Sequence, residues 1–364
     1  MNVWFAGGGT GGHLYPGLAI ARALVAARPD VTPFFVGARR GIEREVLPAE
    51  GVPHALLDLH PLYRPQVWRN WRTVRGAAAG WRALSHLARE RPPALVVGTG
   101  GYAAGLTVAW AWAHGVPVTQ HVGDAVPGIT ARWTARLARA SYLGYPEAAA
   151  RLPHGASRAR DTGNPIQPPP AVRPTPADAR ARWGFPAGAT VLLVFGGSQG
   201  ARAINQAVAN WVATGLPESL CVLWATGRGQ HAAYAALERP TVRVVPYLSP
   251  IADAYAAADL ALVRGGMMGT SELCAWGIPM VIVPLPTAAQ DHQTANARVL
   301  EAAGAARHLP QAELTAARLD TELRALLGDE AARATMGAAA SRRGRPHAAR
   351  DIATHLATLL PPAR

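Results

Sequence analysis

The 364-residue chain contains no lysine, so each of its 36 basic residues is an arginine. Against 23 acidic residues these leave a formal net charge of +13. Such an excess suits an anionic partner (nucleic acid, an anionic membrane or a phosphorylated substrate) and equally describes an arginine-rich solvated surface. The lysine absence itself reads as the mark of a GC-rich genome. Cysteine is scarce too: Cys221 and Cys274 sit in apolar stretches with neither metal-ligand spacing nor a disulfide framework, which points to a reducing cytoplasm. MNVWFAGGG turns to glycine within seven residues, so no secretory leader is expected. Ala94 to Ala113 carries no formal charge over 20 residues, long enough on paper to span a bilayer. Gly98, Gly100, Gly101 and Gly105 interrupt it, however, and it reads better as strand, glycine turn and helix.

What is present is globular: 49% of residues are hydrophobic and only 16% charged, which excludes a disordered chain. The length suits two α/β domains rather than one core. Short apolar runs at Val3–Ala6, Pro33–Val36, Leu95–Val97 and Val116–Thr119 alternate with helical patterns, the rhythm of a parallel, doubly wound sheet. GNPIQPPPAVRPTP then holds six prolines and reads as a stiff linker over 163–176. The rhythm restarts beyond it, with strands expected at Thr190–Phe195, Cys221–Trp224, Val242–Pro246, Leu260–Val263 and Met280–Val283. The expected division is a first domain over 1–162, a second over 177–345, and a C-terminal helix within 346–364 that returns to brace the first.

FAGGGTGG near the start and VFGGSQGA after the linker share one pattern: strand, Gly-Gly, Ser or Thr, any residue, Gly. A glycine turn between strand and helix aims free N–H groups at a ligand, and the helix end adds about half a positive charge, which suits a diphosphate. Gly7, Gly9 and Gly12 also satisfy G-x-G-x-x-G, a weak signal alone. A dinucleotide site would want an acidic residue after the second strand; Arg39 and Arg40 stand there instead. An NADP oxidoreductase therefore survives as a rival, although it leaves the second half unused. In that half Glu272 follows a glycine-rich turn, placed to accept ribose hydroxyls, and Gln293 and Asn296 share a helix face. A helix cap or solvated face is the plain alternative for any one of these, Asn296 above all.

These residues resemble the MurG family, the transferases that add N-acetylglucosamine to the undecaprenyl-linked muramyl-peptide precursor of peptidoglycan. The matching motifs are GGTGGH (Gly8 to His13) with Pro16, GGY (Gly100 to Tyr102), GNP (Gly163 to Pro165), GGSQGA (Gly196 to Ala201), SELCAWGIP and QDHQTANA, in order over most of the chain. The resemblance implies an α/β GT-B fold: two doubly wound Rossmann-like domains with a cleft between them. It implies inversion at the sugar carbon, UDP-N-acetylglucosamine bound mainly by the second domain, and no metal or other cofactor. On the matching positions Ser198 and Gln199 would meet the diphosphate, Glu272 the ribose, and Gln293 with His292 the sugar. Leu248 would offer backbone to the uracil, and Arg264 is either a diphosphate partner or a surface arginine. Thr10, Gly11, Gly12 and Asn164 complete the expected donor-binding set; Tyr102 and His121 fall on the acceptor side. The departures fall mostly there as well. His121-Val122-Gly123-Asp124 replaces the family's usual His-Glu-Gln-Asn, Gln167 replaces an arginine and Leu106 a proline. A MurG-like transferase with another acceptor is the alternative these departures raise.

Glycosyl transfer needs a base for the acceptor hydroxyl and stabilisation of departing UDP. No Asp-x-Asp pair is present to chelate a metal on the diphosphate, so helix ends and glycine N–H groups would take that role. His13 is the first candidate base, with a helix-capping histidine as its alternative, and Asp124 is the second. Trp68, Trp71, Arg72 and Arg75 would share one side of a helix and mix indoles with cations, as an interfacial site for an anionic membrane requires; tryptophans packed inward are the alternative. The expected setting is the cytoplasmic membrane face, with no nucleic-acid partner. A UDP-sugar-binding protein without turnover is the further reading.

Overall fold

The structure, a computed structural model, describes residues 1–59, 70–153, 155–217 and 219–362. The chain forms two compact units, Met1–Ile166 together with His347–Arg364, and Gln167–Pro346.

The first unit carries strands β1 (Asn2–Gly7), β2 (Thr32–Ala38), β3 (His54–Leu57), β4 (Pro93–Gly100), β5 (Val118–Val122), β6 (Ser141–Leu143) and β7 (Ala159–Asp161). Its helices are α1 (Gly11–Ala27), α2 (Glu43–Ala49), α3 (Asn70–Glu90), α4 (Gly101–Ala113) and α5 (Ile129–Thr134). The strands pair in the order β3-β2-β1-β4-β5-β6-β7, each pair parallel. Side chains alternate across a strand, and β1 shows the consequence. Val3 and Phe5 pack with Leu14, Leu18 and Leu24 of α1 on one face, whereas Trp4 and Ala6 pack with Leu84 of α3 and Val108 and Trp110 of α4 on the other. Both faces are covered, which is why the central strands read as unbroken apolar runs.

The chain's last helix completes the first of these faces. Its counterpart in the second unit comes before it in sequence: strands β8 (Thr190–Phe195), β9 (Leu220–Ala225), β10 (Val242–Val245), β11 (Leu260–Val263), β12 (Met280–Ile282) and β13 (Ala306–His308) pair, all parallel, in the order β10-β9-β8-β11-β12-β13. The helices are α6 (Pro176–Arg182), α7 (Arg202–Ala213), α8 (Ile251–Ala257), α9 (Met267–Trp276), α10 (His292–Ala302), α11 (Ala316–Leu327) and α12 (Glu330–Arg343). Ile204, Val208 and Trp211 of α7 and Leu319, Leu323 and Leu326 of α11 cover one sheet face. The buried Trp211 indole donates to Asp320 at 2.7 Å, so its polar end is satisfied. Helix α13 (Ala348–Leu359) belongs to the first unit, where Ile352, Ala353 and Leu356 are buried against the α1 face. Burying an isoleucine or leucine contributes about 1.5–3 kcal/mol. The Tyr142 hydroxyl and His355 Nδ1, 2.7 Å apart, fix the register of that docking.

In an open parallel sheet the ligand crevice lies outside the strand C-termini where the strand order reverses. The reversal falls between β1 and β4 in one unit and between β8 and β11 in the other. The glycine motifs follow these four strands.

Candidate active site

At the end of β1, Gly8 and Gly9 take φ of +155° and +91° and lead into α1. Thr10, the residue before the helix, makes no side-chain cap; its carbonyl accepts from the N–H groups of His13 and Leu14. Gly11 and Gly12 supply the first helical N–H groups, which have no partner within a helix. This is the anion-binding geometry of a helix N-terminus. His13 Nδ1 lies 3.1 Å from the Thr99 carbonyl. A carbonyl only accepts, so this bond puts the ring proton on Nδ1 and the lone pair on Nε2, the tautomer of a base. Gly100 makes the arrangement possible, since a Cβ there would meet His13 Nδ1 at 2.4 Å. Tyr102 follows on the first turn of α4, half-buried and near Gly9.

Sequence reasoning missed Glu43. It is fully buried, and its Oε1 accepts from Gly9 N at 2.9 Å and from Ala38 N at 3.1 Å. The carboxylate thus ties the first glycine loop to the end of β2. Gly9 lies 34 residues from Glu43, and no local pattern announces the contact. The absence of side chains at Gly8 and Gly41 is the one available clue: a Cβ at either would fall within 1.8 Å of a Glu43 oxygen.

His121 ends up in the interior rather than along an acceptor surface. Every residue of β5 is buried and His121 is 2% exposed. Burial first, and the nearby His13 second, push its pKa down to about 4, against an opposing pull from the Asn164 side chain. Its imidazole is neutral at physiological pH. Asn164 is likewise buried in the first unit, with its amide donating to the Gly123 carbonyl at 3.1 Å. Asp124, by contrast, is half-buried in the loop after β5.

In the second unit Ser198 and Gln199 stand exposed on the loop from β8 to α7. The loop is held from beneath. Buried Asn205 donates to the Thr226 carbonyl (2.8 Å) and to Gln230 (3.1 Å), and accepts from the Trp224 indole (2.9 Å), while Gln230 reaches the Gln199 carbonyl (3.2 Å). Ala201 gives α7 no side-chain cap, so a second helix N-terminus faces this loop. After β11 comes Arg264, half-buried, with Nη1 donating to the Val283 and Pro284 carbonyls, both at 3.0 Å. Burial lowers its pKa from the usual arginine value. It is a clamp on the end of β12 rather than a loose surface arginine. Glu272 sits on α9 and accepts from the Tyr255 hydroxyl at 2.6 Å. Burial raises its pKa from the ordinary glutamate value, and the Tyr255 hydrogen bond opposes this.

Leu248, between β10 and α8, is buried and anchors its loop by the side chain. Gln293 accepts from Leu285 N at 3.0 Å through its carbonyl oxygen, which leaves the amide group as the end it can present. His292 Nδ1 approaches the Ala289 carbonyl at 2.7 Å, again placing the lone pair on Nε2. Gln290 and Asp291 just before it both adopt φ near +55° (55° and 54°), a strained conformation for residues other than glycine. Asn296 is neither cap nor solvated: it is buried, with its amide on the Gly265 carbonyl at 3.0 Å.

Comparison with known proteins agrees with this layout. The glycosyltransferase family 28 N-terminal domain matches residues 3–143 and the family 28 C-terminal domain matches 191–355. A Salinibacter ruber protein named UDP-N-acetylglucosamine--N-acetylmuramyl-(pentapeptide) pyrophosphoryl-undecaprenol N-acetylglucosamine transferase is 40% identical over 98% of this chain and 96% of its own length. The Moorella thermoacetica protein of the same name is 38% identical over 97% of both. The crystal structure of Acinetobacter baumannii MurG superposes with a TM-score of 0.78, at 28% identity and over 98% of this chain and 99% of that one. The chain belongs to the MurG family. Its fold is GT-B, and it is a glycosyltransferase.

Three of the membrane-facing residues expected of a MurG relative lie outside what is described: Trp68 entirely, and the side chains of Trp71 and Arg72 on α3. Arg75 is exposed on that helix. Other exposed indoles, missed in the sequence, stand on neighbouring helices: Trp112 of α4 is 59% exposed and Trp133 of α5 45%, with Ile129, Arg132 and Arg136 exposed beside Trp133 in sequence. Trp133 stands beside Arg132, a signal the sequence offered, whereas Trp112 lies between two alanines and offered none. Among the described residues no helix is long and apolar enough to cross a membrane. The two cysteines of this MurG-family chain are buried, and burial pushes the Cys274 thiol up to about 12.

Proposed function

We propose that this enzyme moves N-acetylglucosamine from UDP-N-acetylglucosamine to the lipid-linked muramyl-pentapeptide, with inversion at the sugar carbon and without a metal. The observation that carries the reading is the second unit's switch point, where an uncapped α7 N-terminus behind Ser198 and Gln199 lies beside a helix bearing Glu272. The helix end supplies N–H groups and positive potential for the diphosphate, and the carboxylate accepts ribose hydroxyls. The Gln293 amide and His292 serve the sugar, and Leu248 the uracil.

The acceptor hydroxyl oxygen attacks C1 of the sugar as the bond from C1 to the UDP oxygen breaks, and UDP leaves with the electron pair. His13 Nε2 takes the hydroxyl proton, its tautomer set by the Thr99 carbonyl. The charge that develops on UDP is stabilised by oriented N–H groups. Asp124 is the second candidate for the base. The lipid acceptor requires contact with a membrane surface, for which Trp112 and Trp133 with Arg75, Arg132 and Arg136 supply indoles and cations at the cytoplasmic face. A transferase of the same donor with a different acceptor is the second reading, favoured by His121-Val122-Gly123-Asp124 and Gln167. Mass spectrometry and NMR of the product decide between them: the muramyl lipid should gain one N-acetylhexosamine in the inverted anomeric form. A muramyl lipid that stays unmodified while UDP-N-acetylglucosamine is bound would favour the second.

A further inference from the structure

We propose that Tyr255 is a positioning residue for the donor site, holding the Glu272 carboxylate in the orientation that accepts the ribose hydroxyls. The inference rests on the reading of Glu272 given above and extends it to a residue that does not itself touch the nucleotide. Tyr255 is 3% exposed on α8, and its hydroxyl donates to Glu272 Oε2 at 2.6 Å. Its ring is packed by Phe195, at the end of β8 (centroids 6.3 Å apart), and by Trp276 on α9 (5.8 Å). The phenol therefore has little freedom, and neither has the carboxylate it holds. One carboxylate oxygen is fixed by the hydroxyl, and the other is left to the ribose.

The same bond has an electrostatic consequence. Burial raises the Glu272 pKa and the tyrosine hydroxyl opposes that rise. Burial foremost, then the Glu272 charge and more weakly Tyr247, keep the Tyr255 phenol far above its usual pKa, so it stays a donor at working pH. Tyr255 is the titratable group acting on this carboxylate, and Tyr247 faces Tyr255 in turn. Without the hydroxyl, Glu272 takes up a proton at higher pH and ceases to be the acceptor that ribose needs.

The test is calorimetric binding of UDP and 2′,3′-dideoxy-UDP across pH, to the full-length wild type, Glu272→Ala, Tyr255→Phe and protein with 3-fluorotyrosine at position 255. Both ligands carry the same phosphates, so phosphate titration cancels in the affinity ratio. Glu272→Ala should abolish the preference for UDP. Tyr255→Phe should cut it about tenfold, the effect of losing a hydrogen bond to a charged group. It should also move the pH at which the preference is lost upward, and raise the donor KM more than it lowers kcat. The fluorinated phenol is a stronger donor and should move that pH downward, which keeps the test decisive if the phenylalanine variant folds poorly. A wild-type preference and pH midpoint in both Tyr255 variants, alongside loss of preference in Glu272→Ala, would overturn the role of Tyr255 alone. A preference that survives in Glu272→Ala would remove the ribose reading, and the Tyr255 proposal with it.

Discussion

Alanine at Gly41 would place a methyl group 1.8 Å from Glu43 Oε2, and the three nearest atoms it would meet all belong to that carboxylate. Gly41 lies outside the left-handed region, so its backbone imposes no further cost on a side chain. The penalty of Gly41→Ala is then pure overpacking against Glu43, about 1–3 kcal/mol. Glu43→Ala removes that obstacle and orphans the N–H groups of Gly9 and Ala38. An unsatisfied buried donor costs about 1–3 kcal/mol; Ala38 is buried and Gly9 half-buried, so this variant should lose at least about 1–3 kcal/mol. In its background Gly41→Ala should cost no more than about 0.5 kcal/mol, as at an ordinary surface site. The double-mutant cycle should therefore show a coupling of about 1–3 kcal/mol. Native-state hydrogen exchange of the segment from β1 into α1 reads it locally, free of how the two units unfold relative to each other. A cycle that closes additively within 0.5 kcal/mol (about the usual limit for independent sites) would refute the claim that the missing side chain at Gly41 makes room for Glu43.

Other consequences are as direct. His13→Ala should lower kcat about 10²–10⁴-fold, the ordinary contribution of a positioned base, and leave the UDP dissociation constant unchanged; a loss below threefold (about 0.6 kcal/mol) would pass the role to Asp124. The unfolded His121 imidazole binds its proton near pH 6.5 and the folded one only near pH about 4. The unfolded state therefore holds more protons in that window, and stability should fall by about 3 kcal/mol as pH drops through it. Urea titrations should show that slope, and His121→Asn should remove it. Trp112→Ala with Trp133→Ala should weaken association with anionic vesicles while UDP binding stays intact; parallel loss of both would mean a role in folding.

Much of this fold is legible because its central strands are buried on both faces. Val3–Ala6 and Thr190–Phe195 read as unbroken apolar runs, and strands β1 and β8 lie there. Strands β3, β6, β7 and β13 escaped notice. All four are short, and β7 places exposed Arg160 and Asp161 at a sheet edge, where no apolar run is needed. The run expected at Val116–Thr119 is displaced: β5 starts at Val118 and continues through His121, a polar residue that composition places outside the core and the sheet buries. In the candidate site, Glu272 stood out because a glycine turn precedes it. Tyr255 and Glu43 did not, because the tyrosine reaches its carboxylate from 17 residues away and the glutamate reaches Gly9 from 34. Such contacts are made by strand order and leave no local period. The membrane-facing residues divide in the same way: a run of tryptophan and arginine drew the eye to 68–75, whereas Trp112 and Trp133 are exposed only because of how α4 and α5 lie on the sheet.

UDP release from UDP-N-acetylglucosamine in EDTA, with and without a short-chain lipid-linked muramyl-pentapeptide, tests the central claim most directly. The account predicts release that depends on the lipid and persists in the chelator. UDP that binds but is not released when the lipid is added, or release that EDTA abolishes, would contradict it.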